Sequence, residues 1–240
     1  MSRGVILYQG PSMLDGEPII CIATMNTVNH KTGDMIQTWI IREDVTPMVA
    51  VQTGKDSSVC GRCPHRHFSG GACYVVPFQA PTQVFKTYHA GGYDKLDTQT
   101  LRRFLGRKIR LGSYGDPAAV PYHVWLGVVG LCDGHTGYTH QFHHECFDMK
   151  LTDFCQVSVE TVSQYKNAVE DNVGTFRVIP EGGTLQEGEI RCLNETTGIS
   201  CFACGLCDGK HQNKIAITVH GNLASRFTKK FGGISVKNID

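Results

Sequence analysis

Charge excess of either sign is missing from this chain. Its 23 Lys and Arg balance 22 Asp and Glu, leaving a formal net charge of +1. That balance removes any global electrostatic argument for a nucleic-acid partner and leaves room only for local basic patches. Long hydrophobic runs are missing too. No stretch approaches the ~20 apolar residues of a membrane span. The opening residues, MSRGVILYQGPS, lack the pattern of a secretory signal. The expectation is a cytoplasmic protein with no membrane partner. Charged residues at 19% and hydrophobic ones at 41% describe an ordinary globular chain, and 240 residues allow one larger domain.

Cysteine is plentiful, with 11 in the chain. In a reducing compartment, that number argues for metal ligands over disulfides. The chain is organised around CLNETTGISCFACGLCDGKHQNKIAITVH, from Cys192 to His220. Cys201, Cys204 and Cys207 are each separated by two residues, and two overlapping Cys-x-x-Cys turns put three thiols around one point. Cys192, His211 or His220 would supply a fourth ligand. Thiolates at this spacing suit tetrahedral zinc or an iron–sulfur cluster. Gly198, Gly205 and Gly209 permit the tight turns required. A second cluster reads CGRCPHRHFSGGACY, with Cys60, Cys63 and Cys73 enclosing His65 and His67. Three thiols and an imidazole would close a zinc site. Three thiols alone would leave one iron of a [4Fe–4S] cluster open.

Strand-like runs cover Ile19 to Thr24 and Met35 to Arg42, joined as a hairpin by MNTVNHKTGD. Helices follow over PTQVFKTYHAGGY and over Asp97 to Gly106, the latter with Asp97 as N-cap. Strands then alternate with helical segments: Lys108 to Tyr114, Gly137 to Phe142, Phe154 to Glu160, Gly174 to Pro180, Glu189 to Leu193 and Lys214 to His220. A last helix, NLASRFTKKFG, follows. Alternation of this kind argues for parallel βαβ units. Eight strands in all fit an α/β fold, a small or irregular TIM-like (β/α)8 barrel with Cys-rich metal-binding loops. A doubly wound open sheet is the alternative. We read residues 1–240 as a single barrel-like domain, with a hairpin and Cys cluster over 1–80 and a metal-binding insertion over 192–211.

In a parallel barrel the site forms at the carboxyl ends of the strands. Those ends carry Ser113, Tyr114 and Asp116; His140 and Gln141; Ser158 and Glu160; Arg177; Glu195; and His220. Asp116 lies between Gly115 and Pro117 and is either a nucleophile or base, or the N-cap of the following helix. Glu160 is a candidate second carboxylate and His140 a candidate base or donor. Arg177, inside an apolar strand, needs a carboxylate or phosphate partner. The remaining strand-end residues are candidate substrate contacts.

The stretches KTGDMIQTWIIRED, CGRCPHR with ACYV, RLGSYGDPAAVP, TGYTHQF and CFACGLCDG with VHG together resemble a group of small bacteriophage proteins. Within it the chain resembles the DpdA-type transglycosylases, relatives of tRNA-guanine transglycosylase. That resemblance implies a TIM barrel, a late zinc site at Cys201, Cys204 and Cys207, and catalysis by Asp116 with Glu160 or Glu195. It also implies exchange of guanine in DNA or tRNA for a 7-deazaguanine base, in the host cytoplasm. A second resemblance, to radical-SAM barrels, implies an iron–sulfur cluster at CGRCPHR and ACYV, a binding motif at GSYGDP and an auxiliary cluster at the four late cysteines. A non-enzymatic zinc-knuckle protein that binds nucleic acid or a host factor is the third reading.

Overall fold

Apolar, β-branched runs set the central sheet. The computed structural model describes residues 2–26 and 29–231. Thr27 and Val28 of the expected first turn, and Gly232 at the end of the expected last helix, lie outside the described residues. Strands β2 (Pro18–Thr24) and β3 (Met35–Arg42) pair antiparallel, as the hairpin reading expects. Nearly every residue of both is buried, so each face of the sheet is covered here. Strand β1 (Gly4–Pro11), absent from the sequence reading, pairs antiparallel with β2. The two-residue β4 (Asp94–Lys95) adds parallel to β1.

The rest of the sheet is parallel. β5 (Lys108–Tyr114) pairs with β3, followed in order by β6 (Gly134–Thr139), β7 (Gln156–Val159), β8 (Thr175–Ile179) and β10 (Lys214–Thr218). β9 (Ile190–Arg191) closes the row beside β10. Strand β6 is shared along its length. Its first four residues pair with β5 and its last two with β7. The α/β class expected from the alternation is therefore found, with six parallel strands in chain order from β3 to β10.

The ladder runs linearly from β4 to β9, and among the described residues no backbone pairing joins these two ends. The barrel reading counted the two early hairpin strands toward its eight. β2 pairs antiparallel with both its neighbours, and only β3 joins the parallel row, through β5.

Helices α1 (Pro47–Thr53), α2 (Ser57–Cys60) and α3 (Ala80–His89) lie in the long connection between β3 and β5 and pack against β3. Helix α4 (Thr98–Leu101) starts at the expected cap. The Asp97 carboxylate accepts from the Thr100 amide, and the Thr100 hydroxyl closes a capping box. Helix α5 (Tyr122–Val129) begins after Pro121, and α6 (Val162–Glu170) is capped by Thr161 with a reciprocal bond to Gln164. The single-turn helices α7 (Leu193–Thr197) and α8 (Cys201–Cys204) belong to the late Cys segment. α9 (Ala224–Phe231) ends the described chain. The main core surrounds β1–β5 and centres on Ile19, Ile20, Ile22, Ile40, Ile109 and Trp125. A smaller one holds α6 on β7 through Val157, Val159, Tyr165 and Ala168.

Candidate metal centre

Three consecutive parallel strands deliver polar residues to one edge. β5 is followed by Asp116, β6 by His140 and Gln141, and β7 by Glu160. Asp116 is buried. Its Oδ1 accepts from the Ala118 amide (3.0 Å), and its Oδ2 accepts from the His140 amide (2.8 Å) and the Gln141 side-chain amide (3.1 Å). Of the two roles expected for this carboxylate, the structure displays the cap. Gln141 in turn donates to the Cys60 carbonyl and accepts from the Arg62 amide, each at 3.0 Å.

Residue 61 must be glycine for this clamp to form. Its φ is +52°, and a Cβ there would lie 2.1 Å from the Gln141 carbonyl oxygen. Farther along, Arg66 binds the buried Asp56 and the carbonyls of Gly54 and Gly61. The Cys73 amide donates to the His65 carbonyl at 2.9 Å. Strand β6 and two buried carboxylates thus hold the cysteine loop over the strand ends.

The loop brings Cys60, Cys63 and Cys73 into one neighbourhood with His140. Burial, followed by the neighbouring Cys63 and Cys73, pushes the Cys60 thiol well above its ordinary range. Burial likewise carries Cys73 up to about 11, with Cys63 adding to it. His140 hydrogen-bonds Cys63, and its Nε2 lies 2.9 Å from Glu160 Oε1. Burial opposes charge on this ring, but Cys63 and Glu160 outweigh it and raise its pKa well above 6.5. Glu160 is pushed up by burial, yet the close approach of the His140 and His65 rings brings its pKa down to about 2. His65 Nε2 stands 3.3 Å from the same oxygen. The Tyr114 hydroxyl beside Cys60 and Cys73 is buried without a hydrogen-bond partner.

His65 is the member of this close group whose place the sequence reading left open. Its signal was its position inside the Cys60–Cys73 segment. His67 shares that segment but contacts the Val75 carbonyl instead. Among the described residues, one set of three ligand atoms lies within 4.8 Å of one another: His65, His140 and Glu160.

The late cysteines form a second neighbourhood beside β5 and β6. Burial raises Cys207 to about 12, opposed by a hydrogen bond from Tyr138 and reinforced by Cys192, Cys201 and Cys204. Arg110 faces Cys201 and Cys207, lies over the Tyr138 ring at 5.2 Å and donates to the Tyr74 hydroxyl at 2.9 Å. The segment is stitched across the amino ends of the strands. Cys201 donates to Lys31, Gly137 donates to Cys207, and Gln156 donates to Leu206. Gly198 and Gly205 end α7 and α8 in the left-handed conformation, as the turn reading expects.

The other expected substrate contacts are occupied within the fold or stand apart. Ser113 donates to Gln37 at 2.6 Å. Ser158 lies within β7, paired with Phe176. Arg177 has the carboxylate partner that its burial requires, but that partner is internal. It binds Glu189 and the Thr184 carbonyl, tying down the chain between β8 and β9. Glu195 accepts from the Thr218 amide and Arg191. His220 is exposed, its ring 6.5 Å from that of Tyr74. His144 Nδ1 accepts from the Cys146 amide at 3.2 Å.

No helix among the described residues is long and apolar enough to cross a membrane. Comparison with protein-family models, curated proteins and solved structures gave no match.

Proposed function

We propose that this chain is an iron–sulfur enzyme that modifies a nucleobase in DNA or tRNA, with Cys60, Cys63 and Cys73 as ligands of its reaction-centre cluster. One observation carries the reading. The three thiols stand in the connection that leaves the first of six consecutive parallel strands, in mutual electrostatic contact. Burial and their mutual repulsion mark the three thiols as a ligand set. Three thiolates can bind three irons of a four-iron cluster and leave the fourth open. The unpartnered Tyr114 hydroxyl beside Cys60 and Cys73 is a donor for a bound sulfide or thiolate.

Cys60, Cys63 and Cys73 would hold such a cluster, which would supply single-electron chemistry when bound. The chain's own part is to position and to insulate. Asp116 and Gln141 fix the loop. His140 hydrogen-bonds Cys63, and Glu160 holds its ring from the other side. The six parallel strands, GSYGDP at the end of β5 and an auxiliary cluster at Cys192, Cys201, Cys204 and Cys207 belong to the same reading. For the substrate, exposed Arg226, Lys229 and Lys230 on α9 supply a local basic face beside His65, which Phe227 and Phe231 of that helix cover.

A second reading, guanine exchange for a 7-deazaguanine with zinc at the late cysteines, keeps one support. Glu160, an ionised carboxylate at a strand end beside two imidazoles, suits nucleophilic or acid–base work. Its difficulty is Asp116, whose oxygens already accept three hydrogen bonds.

The deciding experiment is metal and sulfide analysis with visible absorption on protein purified without oxygen. Iron with equimolar sulfide, reduced in Cys63→Ser, is the expected result. Zinc alone in both neighbourhoods refutes the iron–sulfur reading and makes base exchange on DNA the next assay.

A further inference from the structure

The thiols are not the sole ligand set at these strand ends. Glu160 Oε1 lies 2.9 Å from His140 Nε2 and 3.3 Å from His65 Nε2. Adjacent ligands of a first-row divalent ion, with ~2.1 Å bonds, stand ~3.0 Å apart in octahedral and ~3.4 Å apart in tetrahedral geometry. The two observed separations fall close to these values, and all three ligand atoms lie within 4.8 Å of one another. Both ring nitrogens of His65 are buried without a hydrogen-bond partner, because the approach to Glu160 does not meet hydrogen-bond geometry. A buried polar group left in this state is costly unless something outside the chain satisfies it.

Each member is also held from behind by a different element. The His140 amide is fixed by Asp116, and the Glu160 amide by the Gln164 side chain at the start of α6. The His65 ring stacks on Phe227 and meets Phe231 edge-on, while Lys230 holds the adjoining Pro64 carbonyl at 2.9 Å. Side chains fixed in this manner are preorganised and give up little freedom on binding.

We propose that His65, His140 and Glu160 bind one divalent first-row metal ion as a two-histidine, one-carboxylate face. Such a set suits iron(II) or manganese(II), and it leaves further coordination positions for water or substrate. The site contains no sulfur. It is therefore separate from the thiol cluster, although the two meet at His140, which binds the ion through Nε2 and hydrogen-bonds Cys63 as well. The inference goes beyond the iron–sulfur reading and does not depend on which metal the thiols hold.

Manganese(II) is the discriminating probe, since it prefers oxygen and nitrogen over thiolate. Titrated into the anaerobic full chain and followed by loss of the free-ion paramagnetic resonance signal, it should bind at one equivalent. Glu160→Gln and His65→Gln should each weaken that binding at least tenfold. Cys63→Ser and Cys73→Ser should keep it while losing thiol-bound metal. Manganese should also raise the thermal midpoint of the parent and of Cys73→Ser, and should fail to raise that of His65→Gln, a check that holds if Glu160→Gln folds poorly. Absence of binding in the parent, unchanged binding in both triad variants, or loss of binding in the cysteine variants would each overturn the site. None of these outcomes alters the iron and sulfide content that tests the thiol cluster.

Discussion

Asp116→Ala separates a chemical role for this residue from a structural one. The substitution removes the cap on the Ala118 amide and two buried bonds, from the His140 amide at 2.8 Å and the Gln141 side chain at 3.1 Å. Loss of an N-cap costs about 1 kcal/mol. Each buried donor that loses a charged acceptor costs roughly 1.5–3 kcal/mol. The sum is roughly 4–7 kcal/mol, a large part of the ~5–15 kcal/mol that holds a typical domain together. With a urea slope of ~3 kcal/mol/M, the unfolding midpoint should fall by roughly 1.3–2.3 M. Release of Gln141 frees the loop at Cys60, so thiol-bound metal should drop in parallel. Equilibrium urea unfolding with metal analysis on the same samples is the assay. An unchanged midpoint and full metal content, combined with lost turnover, would refute the structural account and restore Asp116 as a nucleophile.

The remaining predictions use the same anchors. Gly61→Ala places a methyl against Gln141 at a positive φ, so loop order and metal loading should fall while far-ultraviolet dichroism changes little. Arg177→Met leaves Glu189 buried without its cation and should cost about 3–5 kcal/mol by denaturant unfolding. The double variant with Glu189→Leu should recover most of that loss, and no recovery would contradict the pairing. His135 has a pKa below 6.5 because burial disfavours its charge, and its Nε2 contacts the Asp208 carbonyl at 2.8 Å. Above pH ~6.5 the ring is neutral in both states, and at lower pH the unfolded chain takes up a proton that the folded ring refuses. Stability should therefore decline as pH falls through the 6–5 range. His135→Gln should flatten that decline in thermal midpoints recorded between pH 7 and 5.

Local signals carried much of the architecture. The Asp97 and Thr161 caps, the strand of alternating and β-branched residues at β3, and the helix stop at Gly91 are written in residues within a turn or two of each other. The forces that act on them are equally short-ranged. The run GVILYQ becomes strand β1 only through its antiparallel pairing with β2, a contact between separate segments that no local signal in the run announces. The two cysteine neighbourhoods were legible by spacing. Eleven cysteines in 240 residues, grouped by two-residue gaps, restrict the chemistry before any fold is known.

What lay beyond the sequence was the identity of partners. Arg177 announced its need for an anion, but the choice of Glu189, twelve residues on, depends on how the chain returns from β8 to β9. Asp116 was balanced between cap and nucleophile until β6 came alongside β5 and presented His140 and Gln141 to its second oxygen. The imidazole that joins Cys63 is His140, not a histidine of the cysteine segment, and Glu160 meets His65 across almost a hundred residues. Composition and periodicity determine which groups a chain can place at strand ends. Only the order of strands in the sheet, set by burial of their apolar faces over long sequence separations, decides which of those groups touch.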